Sequence, residues 1–393
     1  MSTPLIMTVY GTRPEAIKVA PVIKAIEASP HLRSMAVVTG QHREMLDEVN
    51  RIFDIVPEHD LDIMQHGQTL SQIMSRVLQG LDPLLETVRP DAVVVQGDTT
   101  TSTAAALAAF YRQIPVVHIE AGLRSHDILS PFPEEANRKL TSQVAALHLA
   151  PTSTSKANLL NEGVPEADIV VTGNTVIDAL LSTVDKQIRF DDLALEELAS
   201  SGRRVLLVTT HRRENWGEAM VGVGRAVARI AREEPDLTVV LPIHRNPVVR
   251  DAVLPQVAGL PNVLTTEPLA YGQFTRMLSL ATVVLTDSGG VQEEAPSLGK
   301  PVLVMRENTE RPEAVDAGTV RLIGTDPQRI VDEVTRLLRD EDHYGTMANA
   351  VNPYGDGRAA ERTLAALHAL FGTGQRPADF LRRETDGVPL ERA

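Results

Sequence analysis

Short apolar runs recur along the chain, each leading into a glycine- or hydroxyl-rich turn and then into helical sequence. Residues 5–10, 36–39, 92–95, 115–119, 147–150 and 169–171 form a first series. Runs this apolar suit strands buried on both faces, and their alternation with helices predicts an α/β fold with a parallel, doubly wound sheet. Leu70, Ile73, Met74, Val77, Leu78 and Leu81 recur at three- and four-residue intervals and predict one apolar helix face. Core packing is its first reading, and a dimer contact the second. After charged helical sequence ending at Gly202, a new series opens with 205–209 and continues at 237–241, 263–265, 283–286 and 301–304. The restart predicts two domains, 1–171 and 172–354. A helix over 355–371 carries Leu364, Leu367 and Leu370, and the charged, proline-containing tail 372–393 is expected to be loosely held.

Length agrees with two domains, because 393 residues exceed one ordinary core. Charge narrows the partners. With 52 acidic against 38 basic residues the net charge is -14, which gives no electrostatic reason to bind nucleic acid or an anionic membrane. An anionic ligand would need a local basic pocket. The absence of cysteine excludes disulfides, thiolate metal sites and cysteine nucleophiles. The N-terminus lacks a basic signal-peptide region, and no run approaches the roughly 20 apolar residues of a membrane helix. A soluble, cytoplasmic protein is expected.

Candidate chemistry gathers at the strand ends. The run 92–95 delivers Gly97-Asp98-Thr99-Thr100, the run 115–119 delivers Glu120, and Pro133 introduces a helix that begins with Glu134-Glu135 and carries Arg138. Ligands of open α/β sheets bind beyond the carboxyl ends of the strands, so these carboxylates suit acid–base work in one pocket. The plainer alternatives are an N-cap for Asp98 and helix-terminus charges for Glu134 or Glu135. Gly11-Thr12-Arg13-Pro14 opens a helix flanked by Arg13 and Lys18, a plain βα loop or an anion site. Ser288-Gly289-Gly290 after the run 283–286 exposes backbone N–H groups at a helix start, fit for a phosphate, and Glu293 or Glu294 one turn on suits ribose hydroxyls. His211-Arg212 and His244-Arg245 end two strands and add cations at that edge. No histidine–carboxylate set has metal-ligand spacing, and Asp60 and Asp62 fit solvated surface away from a strand end.

Seven motifs together resemble the non-hydrolysing UDP-N-acetylglucosamine 2-epimerases. They are Gly11-Thr12-Arg13-Pro14-Glu15, Gln41-His42-Arg43, Gly97-Asp98-Thr99-Thr100, His118 to Arg124, Pro133 to Arg138, His211 to Asn215 and Ser288 to Glu294, in the family's order. The resemblance implies GT-B architecture, two Rossmann-like domains with an active-site cleft between them, the C-terminal helix 355–371 joining the first. It implies an acid–base set of Asp98, Glu120 and Glu134, with Arg138 and His211 nearby. It further implies Arg13 and Phe274 at the uridine, Glu294 at the ribose, and Lys18, His211, Ser288, Gly289 and Gly290 around the diphosphate. Some members bind their substrate at a second, allosteric site; of its residues, Gln41, Arg212 and His244 are present, but Glu44 and Gly67 depart from the pattern.

The reaction so implied interconverts UDP-N-acetylglucosamine and UDP-N-acetylmannosamine through anti elimination of UDP, a 2-acetamidoglucal intermediate and re-addition, with neither metal nor cofactor. Product would supply surface polysaccharide synthesis, and the resemblance implies a homodimer. The competing expectations are a GT-B glycosyltransferase, a hydrolysing 2-epimerase and a non-catalytic nucleotide-sugar sensor.

Overall fold

The computed structural model describes residues 3–40, 43–65, 67–309 and 311–381, with the backbone alone for 43–45. Two compact units emerge, one holding the chain up to Ala179 and again from Tyr354, the other Leu180–Pro353. The expected boundary at 171 precedes this division, because the buried Val176, Ile177 and Ala179 stay with the first unit. The division thus falls inside the helix Thr175–Asp185.

The first unit is built on seven parallel strands in the order β3-β2-β1-β4-β5-β6-β7. They are β1 (Leu5–Tyr10), β2 (Arg33–Val38), β3 (His59–Asp60), β4 (Ala92–Gln96), β5 (Val116–Ile119), β6 (Leu147–Ala150) and β7 (Ile169–Val171). The second has six parallel strands in the order β10-β9-β8-β11-β12-β13. These are β8 (Arg204–Thr209), β9 (Leu237–Pro242), β10 (Val263–Thr266), β11 (Val283–Thr286), β12 (Val302–Val304) and β13 (Val320–Leu322). The apolar pattern does not predict β3 or β13. Both β3 residues are exposed, and β13 has one buried position, so neither carries the apolar run that marks a two-sided strand. Asp60 is exposed as expected, yet it ends β3.

Helix starts follow from short hydroxyl side chains. Thr12, Thr69, Thr99 and Thr152 each accept a backbone N–H from the first turn of the helix that follows. The stripe on Leu70–Val88 packs Ile73, Val77, Leu81 and Leu85 into the core with Ala104, Ala105 and Ala108 of Thr100–Tyr111. Each fully buried leucine is worth about 1.5–3 kcal/mol relative to exposure. The core reading of that stripe therefore holds, although Leu70 itself stays exposed.

The C-terminal helix is Ala359–Leu370, shorter than the expected 355–371. Its first N–H groups find their acceptor far away in sequence: the Asp178 carboxylate takes those of Ala359 at 3.2 Å and Ala360 at 2.8 Å. Burial pushes the Asp178 carboxyl up to about 6 despite these donors. Beyond the helix, the described part of the tail is not loose. Asp379 accepts from Lys156 at 2.8 Å and from the Val171 N–H at 3.0 Å, and the Phe380 N–H donates to Val171 O at 2.7 Å. An edge strand otherwise offers unpaired backbone groups, and here charge and main chain cover that of β7.

Gly122 shows how tightly the first unit packs beside β5. At φ +89 its absent Cβ would lie 2.2 Å from the Ser155 carbonyl oxygen. Gly122→Ala is expected to cost about 2–3 kcal/mol of unfolding free energy, since strain and a backbone clash add. Urea denaturation measures it, and an unchanged midpoint would refute the account. No helix among the described residues is long and apolar enough to cross a membrane.

Candidate active site

Strand order fixes where each unit leaves a crevice. In the first sheet the chain runs outward from β1 through β2 to β3, then returns to pair β4 with β1. Adjacent βα loops therefore diverge beyond the ends of β1 and β4, the usual ligand position in such sheets. Residues 11–12 and 97–99 occupy those loops, and the end of β5 brings Glu120 beside them.

Glu15 joins the first two loops. Fully buried, it accepts from the N–H groups of Gly11 and Thr12 at 3.1 and 2.7 Å and from the hydroxyls of Thr99 and Ser102 at 2.7 and 3.0 Å. Burial pushes its carboxyl up against these donors. Glu15 was not a candidate by sequence, although Thr12-x-x-Glu15 is a readable capping box.

Asp98 is not the N-cap. Thr99 takes that role through the Ser102 N–H, 3.0 Å from its hydroxyl, which leaves the Asp98 carboxylate to accept from Arg138 Nε at 2.9 Å. Arg138 also reaches Glu135 at 3.0 Å, and Glu135 accepts from the N–H groups of Ser125 and His126. Of the two adjacent glutamates, Glu135 is thereby locked into the scaffold, while Glu134 opens the helix Glu134–Val144 half-buried. The buried His118 ring, 2.7 Å from Gly97 O, holds the turn that carries Asp98. Burial lowers its pKa to about 4, so the ring is neutral and its Nε2–H donates.

Glu120 is held by three side-chain donors from three different elements. Its backbone sits in the left-handed region at φ 62, which for a residue other than glycine indicates local strain. Its carboxylate accepts from Lys18 Nζ at 2.7 Å, Gln96 Nε2 at 2.5 Å and Asn174 Nδ2 at 3.0 Å. Gln96 and Asn174 were not predicted. Arg13 is half-buried at the first position of the helix Arg13–Glu27 that also carries Lys18.

The second unit repeats the switch point between β8 and β11, which are paired. Here the organising group is Asp287, another residue sequence reasoning passed over. Completely buried, it accepts from the Thr210 hydroxyl at 2.9 Å, the N–H groups of His211 and Arg212 at 2.9 and 3.0 Å, and Asn215 Nδ2 at 3.2 Å. Burial alone would raise its pKa, but the His211 ring and these N–H groups hold the carboxyl below its usual range. The rings of His211 and His244 stack with centroids 5.7 Å apart.

Ser288, Gly289 and Gly290 follow β11, and the Ser288 N–H is turned back to the Thr286 hydroxyl at 2.9 Å. A methyl group at Gly289 would meet Arg311 Nη1 at 2.8 Å and Arg212 Nη2 at 3.5 Å, so glycine there admits two guanidinium groups. Arg311 is also held by Glu293, which leaves Glu294, half-buried at the end of Gly289–Glu294, as the other acid of that pair. Two guanidinium groups thus flank this turn, one of them paired with an acid. Phe274 is half-buried on Tyr271–Leu280. Gln41 lies outside the described residues, as do the side chain of Glu44 and residues 382–393; Gly67 has φ +72. Among the described residues no group of three or more histidines and acids is arranged to hold a metal ion.

Two parallel-sheet, Rossmann-like domains, each with polar groups at its switch point, give the chain the GT-B architecture. The model of the UDP-N-acetylglucosamine 2-epimerase family matches residues 24–368. The UDP-N-acetylglucosamine 2-epimerase of Escherichia coli O157:H7 is 54% identical over 368 residues, 92% of this chain and 98% of that protein. A Listeria monocytogenes crystal structure superposes with TM-score 0.92 at 47% identity, covering 97% of this chain and 100% of that one. The Neisseria meningitidis UDP-GlcNAc 2-epimerase bound to UDP-GlcNAc gives TM-score 0.81 at 45% identity, with 93% and 100% covered. The chain belongs to the UDP-N-acetylglucosamine 2-epimerase family, enzymes of the isomerase class.

Proposed function

We propose that this enzyme interconverts UDP-N-acetylglucosamine and UDP-N-acetylmannosamine by elimination and re-addition of UDP. One observation carries the reading: a Glu120 carboxylate, on a left-handed backbone and gripped by Lys18, Gln96 and Asn174, stands at the end of β5, next to the strand whose end carries Asp98 on Arg138. In the proposed step a carboxylate takes the proton from sugar C2, the C2–H electron pair becomes the C1=C2 double bond, and the C1–O bond breaks to release UDP. Addition of UDP to the resulting 2-acetamidoglucal, with a proton delivered to the other face of C2, gives the epimer. Two faces require two groups, and Asp98, Glu120 and Glu134 are the proposed set. Charge developing on the departing diphosphate would be met by His211, Lys18 and the turn 288–290, with Arg13, Phe274 and Glu294 on the nucleoside. Arg212 and His244, with Gln41, are the proposed allosteric contacts. A homodimer and a supply of activated N-acetylmannosamine for surface polysaccharide belong to the same proposal.

Turnover in deuterium oxide tests it. UDP-N-acetylmannosamine carrying deuterium at C2 is the expected product of UDP-N-acetylglucosamine. An unlabelled C2 after turnover would defeat the mechanism, free sugar would point to hydrolysis, and no change without an acceptor would point to a transferase or sensor.

A further inference from the structure

We propose that Asn174 is a positioning residue which ties the orientation of Glu120 to the two points where the chain passes between its units; this rests on Glu120 belonging to the acid–base set. Asn174 is buried in the turn between β7 and the helix Thr175–Asp185, five positions before the first unit ends at Ala179. Its backbone N–H donates to Tyr354 O at 2.6 Å, and Tyr354 is the residue at which the chain re-enters that unit. The approach is close: a methyl on Gly173, at φ +85, would lie 3.4 Å from both Gly355 Cα and Tyr354 O. Outgoing and returning segments of chain therefore meet here, as they do again where Asp178 accepts from Ala359 and Ala360.

The side chain of Asn174 carries the Tyr354 bond to the chemistry. Asn174 Oδ1 accepts the Val176 N–H at 3.1 Å, which leaves the amide NH2 as the end that faces Glu120 Oε1 at 3.0 Å. Lys18 and Gln96 reach Glu120 from the helix Arg13–Glu27 and from β4, inside the sheet's own framework. Only Asn174, among these three donors, lies on the segment leading to one crossing and has its backbone bonded to the residue at the other. Hinges absorb φ/ψ change at a few element-terminal residues, and a rotation at Asn174 would pass directly to the carboxylate. Glu120 would be aligned when the crossings are in one arrangement and released in another.

Asn174→Asp is the discriminating variant. It keeps the Val176 acceptor and the backbone bond to Tyr354, while replacing the donor with a second carboxylate. The expected result is a fall in kcat of about 10²-fold, the scale of a small misplacement of a catalytic group, with KM within about threefold. Asn174→Ala, which adds no charge, should lower kcat in the same direction if the aspartate variant does not fold. In a Glu120→Gln background Asn174→Asp should cost less than about threefold, because the group it positions is already gone; general structural damage would cost the same in both backgrounds. Wild-type kcat in a folded Asn174 variant, or equal losses in both backgrounds, would overturn the inference. Full turnover by Glu120→Gln alone would instead bring down the acid–base reading, and this inference with it.

Discussion

Glu120→Gln is expected to lower epimerisation by about 10³–10⁴-fold while UDP affinity changes by less than about threefold. The substitution keeps the side chain's length but removes the ability to take a proton. It also turns an amide NH2 toward Lys18, Gln96 and Asn174, three donors that now face a carboxylate. The second unit's groups around Asp287 and Ser288, which the proposal assigns to the nucleotide, are untouched, so nucleotide binding should survive. Asp98→Asn should have an effect of the same order, because it weakens the ion pair with Arg138 as well as removing a proton acceptor. Direction of reaction separates their duties. In the proposed mechanism, elimination from the gluco epimer would remove the C2 proton on one face, and elimination from the manno epimer would remove it on the other. Loss of the group serving one face should stop UDP release from one epimer and leave a first turnover with the other. Single-turnover UDP release from each epimer reads this out, and equal, undiminished release from both by Glu120→Gln would refute its place in the set.

Much of the framework was legible because burial writes itself into sequence. Strands β1, β4, β8, β9 and β11 are almost wholly buried, so their apolar runs stand out, and the order in which the runs recur implies a doubly wound sheet. The exposed β3 left no such trace. The same logic explains the helix that starts at Ala359, whose cap, Asp178, comes from 181 positions earlier. Local rules for helix starts have no access to an acceptor delivered by tertiary structure.

Site residues divide along a similar line. Asp98, Glu120 and His211 were visible as polar residues directly after apolar runs, at positions where a parallel sheet presents its ligand edge. Lys18 and Arg138 were visible too, but their pairings were not, and Asn174 was missed outright, since Lys18 and Asn174 lie 102 and 54 positions from Glu120. Asp287 was hidden for another reason. It looked like one polar residue of a glycine turn, and only the fold reveals that the loop after β8 folds its N–H groups onto it. Glu15 was half-hidden, announced by a capping box but not as the link between two loops.

Acid should destabilise the first unit through two histidines that face each other in register across β5 and β6. Both His118 and His148 are buried, and burial lowers each pKa to about 4 from 6.5, with His118 a further cause at His148. The Nδ1 atoms of both have no hydrogen-bond partner among the described residues, so a second proton on either ring would enter unsolvated. Below pH 6.5 the unfolded chain binds protons that the folded one refuses. The stability each neutral ring contributes is therefore complete above 6.5 and is lost as pH falls toward 4. For one such histidine the loss between pH 7.5 and 4.5 is about 2.5 kcal/mol. Asp178 acts in the opposite sense: its raised carboxyl holds a proton in the folded state up to about 6, which returns about 2 kcal/mol over the same interval. The buried Glu15 carboxyl, also raised, has the same sign. Wild-type stability alone would thus mix opposing slopes, and a single substitution isolates one. His148→Gln should remain folded at pH 7.5 and gain on the wild type by about 2–3 kcal/mol between pH 7.5 and 4.5, measured by urea denaturation at each pH. A difference between the two proteins that stays constant within about 0.5 kcal/mol would mean that His148 is not a neutral buried ring.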